Sequence, residues 1–184
     1  VNEIPNPRRP DVDDVDLIGG IEVRELEVVA YDDEWPVTFA AHRERLHEAL
    51  RTASVDIEHI GSTSVPGLAA KPIIDIVVAV DDITAEEDYL PPLLGAGYVL
   101  RVREPGHRLV RTPVRDVHVH ILQKDDSAVE KYLVFRDRLR ADADDRTLYE
   151  RTKQALIDQG FTDMNAYSDA KTDVITAIMT RATQ

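Results

Sequence analysis

The sequence predicts a single α/β or α+β domain whose C-terminal third is helical. Three observations carry this. Residues 73–80 form an almost unbroken apolar run, which reads as a strand covered on both faces. Three short β-rich segments follow over 98–103, 108–112 and 116–122, the first two joined by the turn Glu104-Pro105-Gly106-His107. Beyond Ser127 the apolar spacing becomes that of helices, with no internal repeat and no long linker.

In order along the chain, residues 1–20 read as a flexible acidic arm. Pro5, Pro7 and Pro10 oppose helix, and Asp11, Asp13, Asp14 and Asp16 repel one another. The folded domain is expected over 21–184, opening with a weakly alternating strand at 21–30. A turn at 31–36 leads into a helix reaching about residue 52, with Pro36 in its first turn. Trp35, Phe39, His42, Leu46 and Ala49 fall on one face of that helix, which makes His42 a core histidine. A strand over 55–60, a small-residue loop and a strand over 72–80 come next. Thr84 is placed to cap a helix at 85–95, and Ser127 one running to about 141. Helices over 144–159, stopped by Gly160, and 163–181 complete the chain.

Composition narrows the function. The chain of 184 residues has a net charge of −13, which argues against general nucleic-acid binding. Cysteine is absent, which removes thiolate chemistry and disulfides. No apolar run is long enough for a membrane span, and residues 1–20 lack the apolar core of a signal peptide, so a cytoplasmic location is expected. With 22 Asp against 13 Glu and five Lys against 17 Arg, the surface resembles that of halophilic proteins, in which high salt screens self-repulsion. Arg101, Arg103, Arg108, Arg111 and Arg115 are candidates to hold a phosphate-bearing small molecule or else to decorate a β-meander; His47 and His107 read as surface residues.

The chemistry concentrates between Glu58 and Val78. Five residues separate Gly61 from Gly67 and Lys71 comes too late, so the Walker A spacing fails. The Gly-x-Ser-x-Gly elbow of a serine hydrolase is also missing. A different phosphate site fits: Gly61 permits close backbone approach, and Ser62, Thr63 and Ser64 offer hydroxyls and amides. Asp75 stands mid-strand in apolar company, where a carboxylate needs compensation. Mg²⁺ or another divalent metal bridging it to phosphates would supply that, as would an arginine or an amide. Strand alternation puts Asp116, His118 and His120 on one face, as ligands for a metal, as phosphate contacts or as a solvated face. His59 is a third imidazole near the loop.

These residues resemble the GrpB family, which has a nucleotidyltransferase-like fold and also occurs fused to dephospho-CoA kinases. The matching motifs are Tyr31-Asp32-Asp33-Glu34-Trp35-Pro36, the stretch from Glu58 to Ile76, Gly97-Tyr98, His118-Val119-His120, Phe135-Arg136-Asp137-x-Leu139-Arg140 and Tyr167-x-x-x-Lys171. The resemblance implies a mixed β-sheet flanked by helices. It also implies nucleotidyl transfer with Gly61-Ser62 at the phosphates and Asp75 at a divalent metal. The superfamily's second acid, two residues on, is here Val77. His118 and His120, or Glu58, are the candidates to supply the missing metal ligands, with Lys71, Arg136 and Lys171 as cations for the nucleotide. The alternative is a nucleotide- or CoA-related binding module without catalysis.

Overall fold

The central strand is β3, Ile74–Val80, of which every residue but Asp75 is buried. In the computed structural model, which describes residues 7–22, 27–160 and 164–183, β3 lies fifth in a six-stranded mixed sheet. The other strands are β1 (Asp16–Leu17), β2 (Val55–Ile60), β4 (Val99–Glu104), β5 (His107–Arg111) and β6 (Val117–Gln123), in the order β1-β4-β5-β6-β3-β2. Only β3 and β6 run parallel; the other neighbours are antiparallel. Their register sets Asp75 beside His118 and Val77 beside His120.

Alternation along the strands gives the sheet two different faces. Ile74, Ile76, Val78 and Val80, with Val117, Val119 and Ile121, point into the main core. There they meet Trp35, Leu46 and Leu50 from α1 (Glu34–Ala49) and its end, and Tyr89, Leu90 and Leu93 of α2 (Glu86–Gly95). The opposite face carries Asp75, Val77, His118 and His120. It is roofed by α3 (Ser127–Ala141), α4 (Ala143–Asp158), α5 (Met164–Ala170) and α6 (Thr172–Ala182). Buried Asp145 of α4 receives Arg138 of α3 at 2.7 Å and Arg181 of α6, which ties three of these helices together. Val65 and Leu68 of the small-residue loop pack with Leu139, Tyr149 and Ile178, so the loop is anchored in the helical third.

The layout agrees with the expected α/β arrangement, and several local expectations are corrected. Of the loose arm expected at 1–20, positions 1–6 lie outside the described residues, and the rest is tied to the fold: β1 pairs with β4, Arg8 N donates to Asp82 at 2.8 Å, and Asp11 grips Arg108. Of the four acids that looked self-repulsive, Asp11 finds a cation on the sheet, Arg108. Arg111 binds Glu22 at 2.6 Å, Arg101 and Arg115 lie within 3.8 and 3.4 Å of it, and Arg103 and Arg108 both bind Glu86 at 2.6 Å. Each arginine of the row is therefore engaged by one of the protein's own carboxylates, three of them sharing Glu22. Of the strand expected at 21–30, positions 23–26 lie outside the described residues, and Val29 makes an isolated antiparallel bridge to Ala70.

Capping also shifts by one residue. Thr84 donates its hydroxyl to Asp82 and does not cap α2, while Asp126, not Ser127, accepts the amide of Ala128 at the start of α3. The last expected helix is two, broken at Lys171. Among the described residues no helix is long and apolar enough to cross a membrane.

Candidate functional site

Between the second sheet face and the helical roof lies a cavity of about 280 Å³. Its floor is Asp75 of β3 with His118 and His120 of β6. One wall is the loop Ile60–Thr63 with Lys71 and Ile73, and the roof is Tyr132, Tyr149, Lys153, Tyr167, Ser168 and Lys171. Tyr149 and Lys153 stand one turn apart on α4, and Tyr167 and Lys171 one turn apart across the α5–α6 break, so each pair shares a face.

The loop is built for close approach. Gly61 has φ +72° and ψ −177°, a conformation essentially reserved for glycine. It opens a 3-10 turn over Ser62–Ser64. Thr63 donates to Ile73 O at 3.0 Å and meets His59 Nε2 at 3.1 Å, so the imidazole nitrogen is the donor. Ser62 receives Lys153 Nζ at 3.2 Å and is also hydrogen-bonded by Tyr149. Lys153 Nζ donates to Ala69 O at 2.5 Å as well, strapping both ends of the loop to α4.

Asp75 is surrounded by protein on most sides but keeps 30% of its side-chain surface, next to the cavity. Its Oδ1 lies 3.5 Å from His120 Nε2 and 3.7 Å from His118 Nδ1. Burial alone would push the Asp75 carboxyl up. The hydrogen bond from His120, with the charges of His120, His118 and Lys71, brings it below its ordinary value, so it is a carboxylate at neutral pH. His120 Nδ1 in turn meets His107 Nε2 at 3.1 Å, and His107 Nδ1 meets Glu104 Oε1 at 2.6 Å. These contacts join Asp75, His120, His107 and Glu104 in one row. Burial and the neighbouring His120 lower His107, which opposes a second proton.

The cations are the other half of the site. Lys71, Lys153 and Lys171 all line the cavity, in a chain with five lysines. Burial, then Lys171, with Lys71 adding to it, brings Lys153 down to about 7 against the opposing pull of Glu150. Lys171 is likewise lowered by burial. The Tyr167 ring is fully buried with Lys71 Nζ 4.7 Å and Lys171 Nζ 4.4 Å from its centroid, and Lys153 Nζ is 4.9 Å from that of Tyr149.

The structure thus brings together Gly61, Ser62, Thr63, Lys71, Asp75, His118, His120 and Lys171, as the sequence suggested. It leaves out Ser64, which donates to Gly61 O at 2.5 Å, and Arg136, which binds Glu58 at 2.8 Å and His59 O at 3.0 Å. Glu58 is held by that arginine and does not line the cavity. His59 pairs with Ile76 in the sheet, so it faces α1 and stacks on Phe39 at 4.7 Å. His107 is not a surface residue but stacks on His120 at 5.3 Å. His42 is held by the Tyr98 hydroxyl at 2.7 Å, the satisfied position its helix face suggested. Sequence reasoning passed over Lys153 and Tyr149, for which the scarcity of lysine was the available signal.

A divalent metal, which the resemblance implies, fits this donor set poorly. Val77 occupies the second-acid position and is sealed under α3 with Ile60 and Leu122. Among the described residues no three His, Cys, Asp or Glu are disposed to hold a metal ion.

The sequence pattern of the GrpB protein family matches residues 25–181. The chain belongs to the GrpB family. This GrpB-family chain is 66% identical over 175 residues to the UPF0157 protein of Streptomyces coelicolor, covering 95% of this chain and 94% of that one. It is similar to the crystal structure of the conserved protein GrpB from Enterococcus faecalis, with TM-score 0.74 and 32% identity over 85% of this chain and 96% of the other. A chain of the GLD-2/RNP-8 complex superposes with TM-score 0.56 at 16% identity, covering 77% of this chain and 51% of that one, a likeness of fold alone. The fold of this GrpB-family chain is nucleotidyltransferase-like.

Proposed function

We propose that the cavity binds a nucleotide or related phosphate-bearing small molecule, with its phosphates against Ser62 and the three lysines. One observation carries this reading: three of the chain's five lysines converge on the cavity that the Gly61-Ser62 loop opens into. Lysines brought together repel one another, as Lys171 and Lys71 do Lys153, and a bound anion would add to the offset that Asp75 and Glu150 supply. The nucleotidyltransferase-like fold supports it. Calorimetric titration with ATP, GTP, dephospho-CoA and CoA tests it, comparing wild type with Lys171→Met. Binding to at least one of the four, weakened roughly tenfold in the variant (~1.4 kcal/mol), is expected. No heat of binding from any of them overturns the reading.

A second reading, nucleotidyl transfer to a small molecule, is favoured by Asp75 standing within 3.7 Å of both His118 and His120 on the cavity floor. Its test is pyrophosphate release from nucleoside triphosphates over a panel of acceptors, with Mg²⁺ or Mn²⁺ supplied, in wild type and Asp75→Ala. Release that depends on Asp75 supports transfer. Without it, the protein is a binding module.

A further inference from the structure

We infer that the ligand's phosphates are neutralised directly by Lys71, Lys153 and Lys171, with the Tyr167 hydroxyl as a further donor, and that binding requires no bridging divalent cation. This inference rests on the phosphate-ligand reading above and specifies its chemistry.

The acids come first. A cation bridging protein and phosphates is held mainly by carboxylates, because Mg²⁺ prefers hard oxygen ligands. Among the described residues Asp75 is the one carboxylate lining the cavity, and it already has two imidazoles within 3.7 Å. The neighbouring position where a second acid would project carries Val77, packed with Ile60 and Leu122 beneath Ala128, Val129 and Leu133 of α3. That seal is continuous apolar packing, so no other side chain replaces the acid there.

The donors are complementary to this loss. Lysine is a compact point charge suited to phosphate oxygens. Lys71 Nζ and Lys171 Nζ both lie over the Tyr167 ring, at 4.7 and 4.4 Å from its centroid, which holds both ammoniums at the cavity beside Asp75. Tyr167 is fully buried, lines the cavity, and its hydroxyl has no hydrogen-bond partner among the described residues. A buried hydroxyl left in this state is costly, and a phosphate oxygen would satisfy it. Ser62, held by Tyr149 and Lys153, adds a hydroxyl to the groups that line the same cavity. A divalent cation placed among these ammoniums would be repelled by them, whereas a polyphosphate would be attracted by all of them.

The experiment titrates the full chain with inorganic tripolyphosphate and with ATP, once in excess EDTA and once in Mg²⁺. Three variants are compared: Tyr167→Phe, Lys171→Met and Asp75→Asn. Expected are binding in EDTA at least as tight as in Mg²⁺, and a loss of roughly tenfold in Lys171→Met (~1.4 kcal/mol). Tyr167→Phe, which removes only the hydroxyl, is expected to weaken binding with the thermal transition kept or raised. Asp75→Asn removes a negative charge from the floor and is expected to tighten binding. Binding that appears only with Mg²⁺ and falls in Asp75→Asn overturns this inference while leaving the phosphate-ligand reading in place. Absence of binding in both conditions overturns both.

Discussion

Gly61 and Asp75 are packed so closely that a β-carbon at position 61 would stand 2.8 Å from Asp75 Oδ2 and 3.1 Å from Asp75 Cβ. The loop glycine and the cavity carboxylate are therefore one unit, although they lie on different elements. Gly61→Ala must strain the backbone at φ +72° and displace Asp75 from His120. A destabilisation of about 1–3 kcal/mol is expected from the backbone conformation alone. Chemical denaturation measures it, and a variant as stable as wild type with unchanged ligand binding would falsify the coupling.

Lys153 gives the folded protein a pH dependence of definite sign. Its folded value, about 7, lies below the ordinary lysine value, so the unfolded chain holds a proton there that the folded chain releases. Stability contributed by this group therefore rises with pH, from about 7 to about 10, by at most ~1.4 kcal/mol per unit. In Lys153→Met, urea titrations across that range should show a flatter rise than wild type. An identical slope in the two proteins would show that Lys153 is charged in the cavity throughout.

Much of this arrangement is legible in the sequence where local rules govern it. Gly61-Ser62 followed by Asp75 in an apolar strand pointed to the loop and the floor. Alternation in Val117–Gln123 put His118 and His120 on one face before their neighbour was known. What local rules cannot supply is the partner of each face. Lys153 reaches Ser62 from 91 residues away because α4 folds back over β3, and no spacing in the sequence encodes that return. The same holds for Asp11, whose arginine is 97 residues distant, which is why residues 1–20 read as an arm. Arg136 shows the converse: the motif placed it near the loop, but Glu58 on the exposed side captured it. His59 was misplaced by its sequence proximity to Gly61; one residue of strand parity sends it to the opposite face.

His59 makes a second pH prediction, on the acid side. Burial, opposed by Asp75 and reinforced by Arg140 and Arg136, brings it down to about 4. The unfolded chain binds this proton from about pH 6.5 downward while the folded chain resists until about 4. Stability is therefore lost as pH falls through that window, by roughly 3 kcal/mol at most. His59→Gln keeps an N–H that can reach Thr63 but has no titrating ring. The difference between the two stability curves removes the carboxylates common to both. Wild type should lose stability relative to the variant steadily from pH 6.5 to 4, and a constant difference would exclude His59 as the source.

Salt tests the surface as a whole. A net charge of −13 on 184 residues repels itself most strongly in the folded state, where the charges are closest. Two opposing effects follow from adding salt. Internal ion pairs such as Arg108 with Asp11 and Glu86 are shielded from solvent by a side chain that is 1% exposed, so screening weakens them little. The unpaired surface acids are exposed, and the screening length falls from about 10 Å at 0.1 M to about 3 Å at 1 M. The repulsion is therefore relieved more than the attractions are lost. The thermal midpoint should rise clearly between dilute buffer and molar sodium chloride, and also in molar potassium chloride, since screening does not distinguish the cations. A midpoint that stays level in both salts would refute the account of the acidic surface as one whose self-repulsion salt relieves.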